Sequence, residues 1–390
     1  MEICEKIKYR IAGDRDSRTC APIGSQQGRT DRKRTFRLGP NRACQQFLSG
    51  VFHSSVDGYE NEQRATGLPA VRAFRTPAKR TARCTTTATH RNHITHTPKP
   101  PHRLAQHMRT PAQNAHLALL LEVASTPKPG NVDRHRDLAD LRFEHFLAGA
   151  VGAQRGLEMA ADGAAIGPAF ERAVAGMAEQ EGDNTQFGAL LLLTPLVRAA
   201  ATDLSQPVVE SLVEETTVAD AAAFYRAFEH VDVHVADPPA DMAPLDVRRG
   251  SDAIPALEKR GLTLVDVMEQ SVPGDDVARE WVTGFERSFA AAEQLADADG
   301  PLPDRAATVF LSLLADRPDT LVATRRGEDV AREVTDRAAE LAAQDAISTD
   351  RDAVEAFADE LVERGINPGT TADITAAALF IALESELVSI

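Results

Sequence analysis

Residues 188–196 read Gly-Ala-Leu-Leu-Leu-Leu-Thr-Pro-Leu and form the centre of a strongly apolar stretch that runs from about Thr185 to Ala201. Apolar side chains occupy nearly every position of this stretch, which is typical of a helix that is buried on all sides. Pro195 lies inside it and is expected to kink the helix, because proline cannot donate to the preceding turn. The stretch therefore predicts a central helix around which other helices pack.

The sequence on both sides of this stretch also has helical spacing. A first helix carries Leu117, Leu120 and Leu121 on one face and ends before Pro127. Only residues 231–239 (VDVHVADPP) alternate as a strand would. We predict an all-α, single-domain, multi-helix bundle over residues 108–390, with further helices at 141–159, after Pro168, and at 208–229, 275–297, 303–315, 326–345, 350–364 and 370–388.

Charge and composition change abruptly at Met108. Residues 1–107 contain 20 Lys and Arg against 8 Asp and Glu, a net charge of +12, whereas the rest of the chain contains 23 against 50, a net charge of −27. All four cysteines also precede Met108. The first part has little sustained periodicity and too few apolar residues to offset chain entropy, so we predict a disordered basic N-terminal extension over residues 1–107.

Three interpretations of this extension compete. Its clustered Arg and Lys side chains could bind nucleic acid. His90, His93 and His96 could bind zinc, but their spacing matches no closed ligand set. We favour the third interpretation, in which Met108 is the true start and the upstream residues come from an over-extended gene model. We therefore expect no nucleic acid partner.

The main segment is acidic and poor in Lys, a composition that suits a protein from a high-salt environment. It contains no cysteine and therefore no thiolate metal site. No apolar run reaches roughly 18 residues, so we expect no membrane partner. With no secretory signal, the sequence predicts a cytoplasmic location.

Four polar segments interrupt the helical pattern. The first loop, residues 125–137, is stiffened by two prolines and carries many charges, which favours a preorganised site over a solvated connection. The second loop, residues 182–188, precedes the central helix. Asn184 or Thr185 could simply cap that helix, or the helix N-terminus could bind a phosphate.

The other two segments lie towards the C-terminus. The third segment, residues 319–327, brings Arg325 and Arg326 beside a glycine, where they could clamp phosphates or lie on a solvated helix start. The fourth segment, residues 367–373, opens the last helix. Thr370 and Asp373 resemble a capping box there, with Asp in place of the usual Glu or Gln.

In this order, the four segments resemble the motifs of the triphosphoribosyl-dephospho-CoA synthase family. Residues 126–133 match its T-P-K-P-G-x-V-D loop, and residues 135–137 match the H-R-D that follows it. Residues 182–188 match a G-x-N-T-x-x-G segment, residues 319–327 a D-T-x-x-x-x-R-x-G segment, and residues 368–373 a P-G-x-x-A-D opening. The resemblance spans about residues 110–388 and nothing upstream.

The resemblance implies transfer of the 5-triphosphoribosyl group of ATP to the 2′-hydroxyl of 3′-dephospho-CoA, with release of adenine. ATP and 3′-dephospho-CoA are then the substrates, and Mg²⁺ is the expected cofactor. The matched positions suggest roles for three groups of residues. We expect phosphate binding by Lys128, Asn184, Thr185, Arg325, Arg326, Gly369 and Thr370, metal binding or stabilisation of positive charge by Asp133, Asp183 and Asp373, and catalysis by His135 or Asp137 as general base together with Asp133.

The second loop departs from the family pattern, which usually reads N-T-H-K-G. Gln186 and Phe187 replace the His and the Lys, and this removes a possible acid and a cation. The change leaves two alternatives open: a phosphoribosyl-dependent transferase with a different acceptor, and a catalytically silent helical nucleotide-binding protein. The sequence does not predict an oligomeric state.

Overall fold

The computed structural model describes residues 109–238, 240–272 and 274–390. Those residues form helices and contain no strand, so the predicted all-α bundle is confirmed. The predicted N-terminal extension lies outside the described residues. In chain order the α-helices are α1 (Pro111–Ala124), α2 (Phe143–Ala161), α3 (Ile166–Met177), α4 (Phe187–Ala200), α5 (Gln206–Glu214), α6 (Val218–Ala227), α7 (Ile254–Arg260), α8 (Leu264–Ser271), α9 (Asp276–Val282), α10 (Glu286–Asp297), α11 (Leu302–Asp316), α12 (Thr320–Arg326), α13 (Glu328–Ala343), α14 (Ala346–Thr349), α15 (Arg351–Glu363) and α16 (Gly369–Glu384).

The central apolar stretch forms α4, which is buried along most of its length. The helix continues across Pro195. Since proline has no N–H, the carbonyl of Leu191 loses its usual partner one turn earlier. The indole Nε1 of the buried Trp281 donates to this carbonyl at 3.2 Å, so a side chain from α9 replaces the missing hydrogen bond.

The last helix, α16, is the second buried helix. Most of its residues are inaccessible to solvent, and it packs against α1, α4, α10 and α11. The main hydrophobic core surrounds α4 and α16, and a smaller core lies among α11 to α15. Ala372 in the first turn of α16 belongs to the smaller core, whereas Ile374 belongs to the main one. The N-terminus of α16 therefore lies where the two cores meet.

Helices α2 and α3 approach each other closely through small residues. A Cβ on Gly152 would lie 2.1 Å from the carbonyl oxygen of Gly176, and a Cβ on Gly156 would lie 2.3 Å from the backbone nitrogen of Ala173. Because real Cβ atoms do not come this close to backbone atoms, these positions require glycine. The close packing fixes α2 beside the second loop.

Two predicted long helices are each divided in the structure. The predicted helix 208–229 separates into α5 and α6, because Thr217 and Asp220 form a capping box that begins a new helix. The predicted helix 275–297 separates into α9 and α10 at Gly284 and Phe285, which both have positive φ. Both predictions were wrong, because each gave one continuous helix where the structure has two. The capping box could have been recognised in the sequence.

Three other predictions also need correction. Residues 231–238 are not paired as a strand but run as irregular chain. The third segment does not interrupt the helical pattern as predicted, because its residues 320–326 form α12. Short helices at 254–260 and 264–271 were not predicted. No helix in the described part of the chain is both long and apolar enough to cross a membrane.

Candidate active site

The first loop is held against the fourth segment at the start of α16. The side-chain amide of Asn131 donates to Oδ1 of Asn367 at 2.9 Å. Gly130 has φ +73°, and a Cβ at this position would lie 2.3 Å from the carbonyl oxygen of Ile366. Only glycine satisfies both the conformation and the space. Residues 126–130 (T-P-K-P-G) thus pack against the turn formed by residues 367–369 (N-P-G).

The third segment meets the same end of α16. The hydroxyl groups of Thr320 and Thr370 lie 3.0 Å apart. One carboxylate oxygen of the buried Asp319 accepts from both the backbone N–H and the hydroxyl of Thr371, each at 2.8 Å. Its other oxygen caps α12 through the N–H groups of Leu321 and Val322, each at 3.0 Å. Asp319 therefore joins the N-termini of α12 and α16.

The second loop also reaches this end of α16, through Gly188 in the first turn of α4. A Cβ on Gly188 would lie 2.0 Å from Oδ2 of Asp373, so glycine is required where the two helices meet. The predicted capping box is wrong, because Pro368 is the N-cap residue of α16 and no side chain caps the helix. Asp373 instead turns its carboxyl group towards α4.

A fourth helix N-terminus lies beside these three. Asp275 caps α9 by accepting from the N–H of Val277 at 2.8 Å, and the N–H of Asp276 donates to the Thr320 hydroxyl at 3.3 Å. The N-termini of α4, α9, α12 and α16 therefore lie close together. Each carries partial positive charge, so together they favour anionic groups at this point.

Four carboxyl groups occupy this region: Glu122, Asp275, Asp319 and Asp373, which we call the acidic cluster. Burial raises the pKa of Asp373 well above its ordinary value, and the nearby Glu122 and Asp319 raise it further. The backbone N–H of Ala189 opposes this rise. Asp373 still keeps part of its surface exposed, whereas Glu122 and Asp319 are buried. Asp373 is therefore a member of the cluster that a substrate can reach.

The pKa values of the other three groups shift in the same direction. Burial is the main cause of the raised pKa of Glu122, Asp275 and Asp319. Hydrogen bonds from Thr371 and from the α12 backbone offset part of this rise for Asp319, and two α9 backbone N–H groups do so for Asp275. Burial therefore favours the neutral, protonated forms of these carboxyl groups, and a nearby cation would favour their charged forms.

Lys128 is placed inside the protein, and its side chain is fully buried. Its ammonium group pairs with the buried Glu122 and also donates to Oδ1 of Asn131 at 3.1 Å. The same nitrogen lies 5.9 Å from the ring centroid of Phe310. Lys128, the predicted phosphate ligand, instead forms an internal ion pair with Glu122, a member of the acidic cluster.

Asp133 holds the first loop together. Its buried carboxylate accepts from the Thr126 hydroxyl at 2.9 Å, the Lys128 backbone N–H at 3.1 Å and the His135 backbone N–H at 2.8 Å. It also pairs with the guanidinium of Arg136 at 3.0 Å. Four donors fill the hydrogen-bonding positions of the carboxylate, so its surroundings suit a positioning residue.

His135 and Asp137 lie on the outer side of the first loop and are exposed. Arg136 between them anchors the loop to α15 through Glu355 and Asp359. One oxygen of Asp137 accepts from the N–H of Phe143, the first residue of α2, at 2.8 Å. Within the described residues, the side chains of His135 and Asp137 make no hydrogen bond with Asp373.

The three carboxylates predicted as metal ligands are not brought together. Asp133 is enclosed by the first loop, and Asp373 faces α4. The exposed Asp183 accepts from the backbone N–H of Asp232 at 3.2 Å. In the parts of the chain that the structure describes, no three His, Cys, Asp or Glu side chains are grouped to hold a metal ion. The described residues therefore do not bring the three predicted metal ligands together in one site.

The second loop contains polar atoms that are buried without partners. Asn184 accepts from the N–H of Phe187 at 3.1 Å, but the N-cap residue of α4 is Gln186 and not the predicted Asn184 or Thr185, and the Gln186 side chain makes no capping hydrogen bond. Gln186 is only 3% exposed, yet within the described residues neither Oε1 nor Nε2 has a hydrogen-bond partner. The hydroxyl of Thr185 is buried and unpaired in the same way.

Phe187, which stands where the family usually has Lys, is part of an aromatic cluster. Its ring centroid lies 5.1 Å from that of Phe170, 6.3 Å from that of Phe224 and 4.9 Å from that of Phe228. The side chain is 5% exposed. Phe187 therefore packs in the hydrophobic core and supplies no positive charge to the site.

The predicted arginines lie at the C-terminal end of α12 and are exposed. Arg326 donates to the carbonyl of Gly365 at 2.7 and 3.1 Å, which ties the third segment to the turn before α16. A guanidinium nitrogen of Arg325 lies 3.3 Å from Nε2 of His234. Gly369 packs under α12, where a Cβ would lie 2.6 Å from Cδ2 of Leu321.

Sequence reasoning missed three members of the acidic cluster, since it placed Asp319 in the third segment but gave it no role. Glu122 stands alone within the apolar run LALLLEVA of α1, and an isolated acid in such a run signals a buried charge that needs a partner. Asp275 stands at the start of a predicted helix, and the sequence gave no sign that it lies beside Asp373. Only the packing of α9 against α4 and α16 places it there.

Comparison with known proteins gives one family match. The family model described as ATP:dephospho-CoA triphosphoribosyl transferase (CitG) matches residues 108–389. Among solved structures, the chain is similar to a protein of Archaeoglobus fulgidus named as a candidate triphosphoribosyl-dephospho-CoA synthase, with 25% identity and a TM-score of 0.49, covering 61% of this chain and 97% of that one. No curated protein matches the chain.

Proposed function

The chain belongs to the family of ATP:dephospho-CoA triphosphoribosyl transferases and is therefore a transferase, and from this premise we propose that it joins the 5-triphosphoribosyl group of ATP to the 2′-hydroxyl of 3′-dephospho-CoA and releases adenine. The observation that carries the proposal is the convergence of four motif segments on the N-terminus of α16. Residues far apart in the sequence, such as Asn131 and Asn367, are brought into contact only there.

The triphosphate stays attached to the ribose during the proposed transfer, so the site must bind it without cleaving it. Helix N-termini favour phosphate oxygens, and Asn184, Thr185, Gly369 and Thr370 all lie at such ends. Arg325 and Arg326 are exposed cations at the C-terminal end of the adjoining α12 and can reach phosphate groups at the edge of the site. Lys128 acts indirectly in this proposal, since its ammonium group holds Glu122.

The acidic cluster suits a divalent cation that arrives with the nucleotide. Mg²⁺ is usually held by one or two carboxylates together with substrate phosphates, so a complete protein cage is not needed. Asp373 is the carboxylate that would hold it, because its side chain is partly exposed, whereas Glu122 and Asp319 are buried. Bound Mg²⁺ would supply charge neutralisation for the triphosphate.

The transfer breaks the bond between ribose C1 and adenine N9, and the bonding electrons leave with adenine. The 2′-hydroxyl oxygen of the acceptor bonds to C1, and its proton is taken by a base. In the net reaction this proton replaces the ribose on adenine. The ribose becomes positively charged as the bond breaks, so carboxylates of the acidic cluster stabilise it. The exposed His135 and Asp137 are the groups proposed to take the proton from a large acceptor.

One observation favours a different acceptor as the second candidate. Phe187 is buried among aromatic rings where the family usually has Lys, so a positive charge is missing beside the second loop. Transfer to an acceptor with fewer phosphates than 3′-dephospho-CoA would tolerate that loss. The two candidates share the same donor chemistry and differ only in the hydroxyl that attacks.

The experiment that tests the proposal is identification of the product. The full-length chain is incubated with Mg²⁺, ATP and 3′-dephospho-CoA, and the acceptor is analysed by mass spectrometry. We expect an adduct that contains the ribose and all three phosphates of ATP. Unmodified 3′-dephospho-CoA without release of adenine would contradict the proposal and favour the second candidate, whose acceptor is absent from this mixture.

The proposed base is tested by an Asp137→Asn variant. We expect its turnover to fall by about 10²- to 10⁴-fold, the usual contribution of a positioned general base. The hydrogen bond to the Phe143 N–H can be retained by the amide oxygen, so folding should be little affected. Unchanged turnover would exclude Asp137, and a His135→Gln variant would then test the neighbouring side chain.

A further inference from the structure

Three arginine side chains meet around one buried carboxylate beside the candidate site. We call them the arginine cluster: Arg279, Arg287 and Arg317. The carboxylate is that of Asp276, the first residue of α9. Its Oδ1 lies 2.9 Å from Nε of Arg279 and 3.9 Å from Nη1 of Arg317, and its Oδ2 lies 3.6 Å from Nη1 of Arg287. Guanidinium groups from α9, from α10 and from the end of α11 are therefore gathered at one point.

The arginine cluster carries more positive charge than its protein partners neutralise. Within the described residues it forms ion pairs with Asp276 and with one other carboxylate, Asp316, which lies 3.1 Å from Nε of Arg317. The nearby Glu280 is buried, and burial raises its pKa and favours its neutral form. Burial and the charge of Arg317 lower the pKa of Arg287. An additional anion at this point would therefore be favourable, although the segment from residue 108 to 390 has a net charge of −27.

The arginine cluster also has donor nitrogens that remain for a ligand. In the described part of the chain, Nη1 of Arg279 makes no hydrogen bond, and Arg317 donates through Nε alone. The side chains of Arg279 and Arg317 are 39% and 40% exposed, so a ligand can reach them from solvent. Arg287 is mostly buried and donates to a backbone carbonyl in the last turn of α11, which fixes its position.

Direct contacts join the arginine cluster to the candidate site. The backbone N–H of Asp276 donates to the Thr320 hydroxyl at 3.3 Å, and this hydroxyl lies 3.0 Å from that of Thr370 in the first turn of α16. Arg317 follows the last residue of α11 and lies three residues before Thr320. The cluster therefore lies beside the N-terminal end of α12, whereas the arginines considered above lie at its C-terminal end.

On the basis of the proposed function, we propose that the arginine cluster binds a chain of linked phosphate groups in a substrate, which is the triphosphate of ATP or the diphosphate of 3′-dephospho-CoA. Guanidinium groups bind phosphate oxygens through paired donors of fixed geometry. Because Arg279 and Arg317 approach the same carboxylate oxygen, one phosphate chain can contact both side chains. The buried Asp276 orients the guanidinium groups. The side chain of Asp316 is 57% exposed, so it is the partner that an arriving phosphate displaces.

The first test measures binding of ATP and of 3′-dephospho-CoA, each alone, to the full-length chain by isothermal titration with Mg²⁺. We expect Arg317→Gln to weaken binding of one of the two by about tenfold or more, the usual effect of losing a hydrogen bond to a charged group. Arg317→Lys should recover only part of the loss, because an ammonium group keeps the charge without the paired donors. Arg332→Gln is the matched control, since it removes the same charge from an exposed position of α13 and should leave both affinities unchanged.

A second variant gives an expected change in the opposite direction. Asp316→Asn removes a carboxylate that competes with phosphate for Arg317 and Arg287. We expect the substrate that Arg317→Gln binds more weakly to bind this variant a few fold more tightly, since the exposed ion pairs that are lost are weak. Unchanged or weaker binding by Asp316→Asn would contradict the displacement of Asp316 by phosphate.

The outcomes assign the phosphate chain and separate the inference from the proposed function. Weaker binding of ATP alone by Arg317→Gln assigns the triphosphate to the arginine cluster, and weaker binding of 3′-dephospho-CoA alone assigns the diphosphate. If the wild type forms the triphosphoribosyl adduct but Arg317→Gln binds both substrates as tightly as the wild type, the inference is overturned and the proposed function stands. A lower melting temperature of Arg317→Gln with unchanged affinities, or an equal loss of affinity in Arg332→Gln, also overturns it. If Arg317→Gln weakens binding but the wild type forms no adduct, the phosphate site stands and the proposed function fails.

Discussion

The first and second loops both contact the N-terminal part of α16, but the polar side chains of the two loops differ in their hydrogen bonding. In the first loop, the carboxylate of Asp133 has four donors and the ammonium group of Lys128 has two acceptors. In the second loop, the amide of Gln186 and the hydroxyl of Thr185 are buried without partners within the described residues.

This difference shows that a high density of charge does not by itself identify a binding site. The charges of the first loop satisfy one another and build a rigid support, so their removal should mainly affect folding. The unpaired atoms of the second loop lower stability, because no hydrogen bond compensates for their desolvation. Strain of this kind is commonly found at functional sites.

The largest effect is expected from Asp133→Ala in the first loop. The substitution leaves the Arg136 guanidinium, the buried Lys128 N–H and the partly buried His135 N–H without the carboxylate that accepts from them. We expect the free energy of unfolding to fall by about 3–5 kcal/mol, as for other broken buried ion pairs. Urea denaturation of the full-length chain measures this change.

The control is Asp359→Ala, which removes another partner of the same Arg136. The Asp359 side chain is 62% exposed, so its loss should cost only about 0–1 kcal/mol. Equal effects of the two substitutions would contradict the account of the first loop as an internally paired support.

An intermediate effect is expected from Gly149→Ala beside the second loop. The added methyl group would lie 2.6 Å from the Thr185 hydroxyl and would push against the Gln186 amide. We expect a loss of about 1–3 kcal/mol in the free energy of unfolding, the usual cost of overpacking, measured by urea denaturation. Gly274→Ala is the control, since a Cβ there meets nothing within 4 Å. Equal losses for the two variants would contradict the close packing of α2 against the second loop.

A smaller effect, visible in its pH dependence, is expected from Asp373→Asn. The pKa of Asp373 is raised in the folded state, so the folded protein holds this proton more tightly than the unfolded chain does. Its contribution to stability is therefore full below the ordinary value of 3.8 and is lost as the pH rises through the raised pKa. We expect the stability of the variant to fall less steeply than that of the wild type over this rise in pH.

Urea midpoints at a series of pH values give the comparison. The other three members of the acidic cluster also have raised pKa values, so the wild-type slope will not vanish in the variant. Parallel slopes for wild type and Asp373→Asn would contradict the placement of Asp373 in a buried cluster of carboxyl groups.

The helical fold and the four segments could be predicted because their signals are local. Periodicity of Leu and Ala identifies a buried helix such as α4, and proline and glycine mark the loops. The breaks within 208–229 and 275–297 were harder to see. The first depends on a capping box at Thr217, which is readable, but the second depends on positive φ at Phe285, which sequence does not favour.

The roles of individual charges could not be predicted in the same way. Whether Lys128 binds a phosphate or an internal carboxylate depends on Glu122, which belongs to a different helix and is brought near by packing. Asp133, Asp183 and Asp373 looked alike in sequence but have unrelated surroundings in the structure. Charge is visible in a sequence, whereas its partners depend on tertiary structure.

The most direct test of the central claim follows adenine release by the full-length chain with Mg²⁺ and ATP, with and without 3′-dephospho-CoA. We predict that adenine forms only when 3′-dephospho-CoA is present, with one adenine released for each acceptor modified. A folded protein that binds ATP but releases no adenine in the presence of 3′-dephospho-CoA would contradict the account.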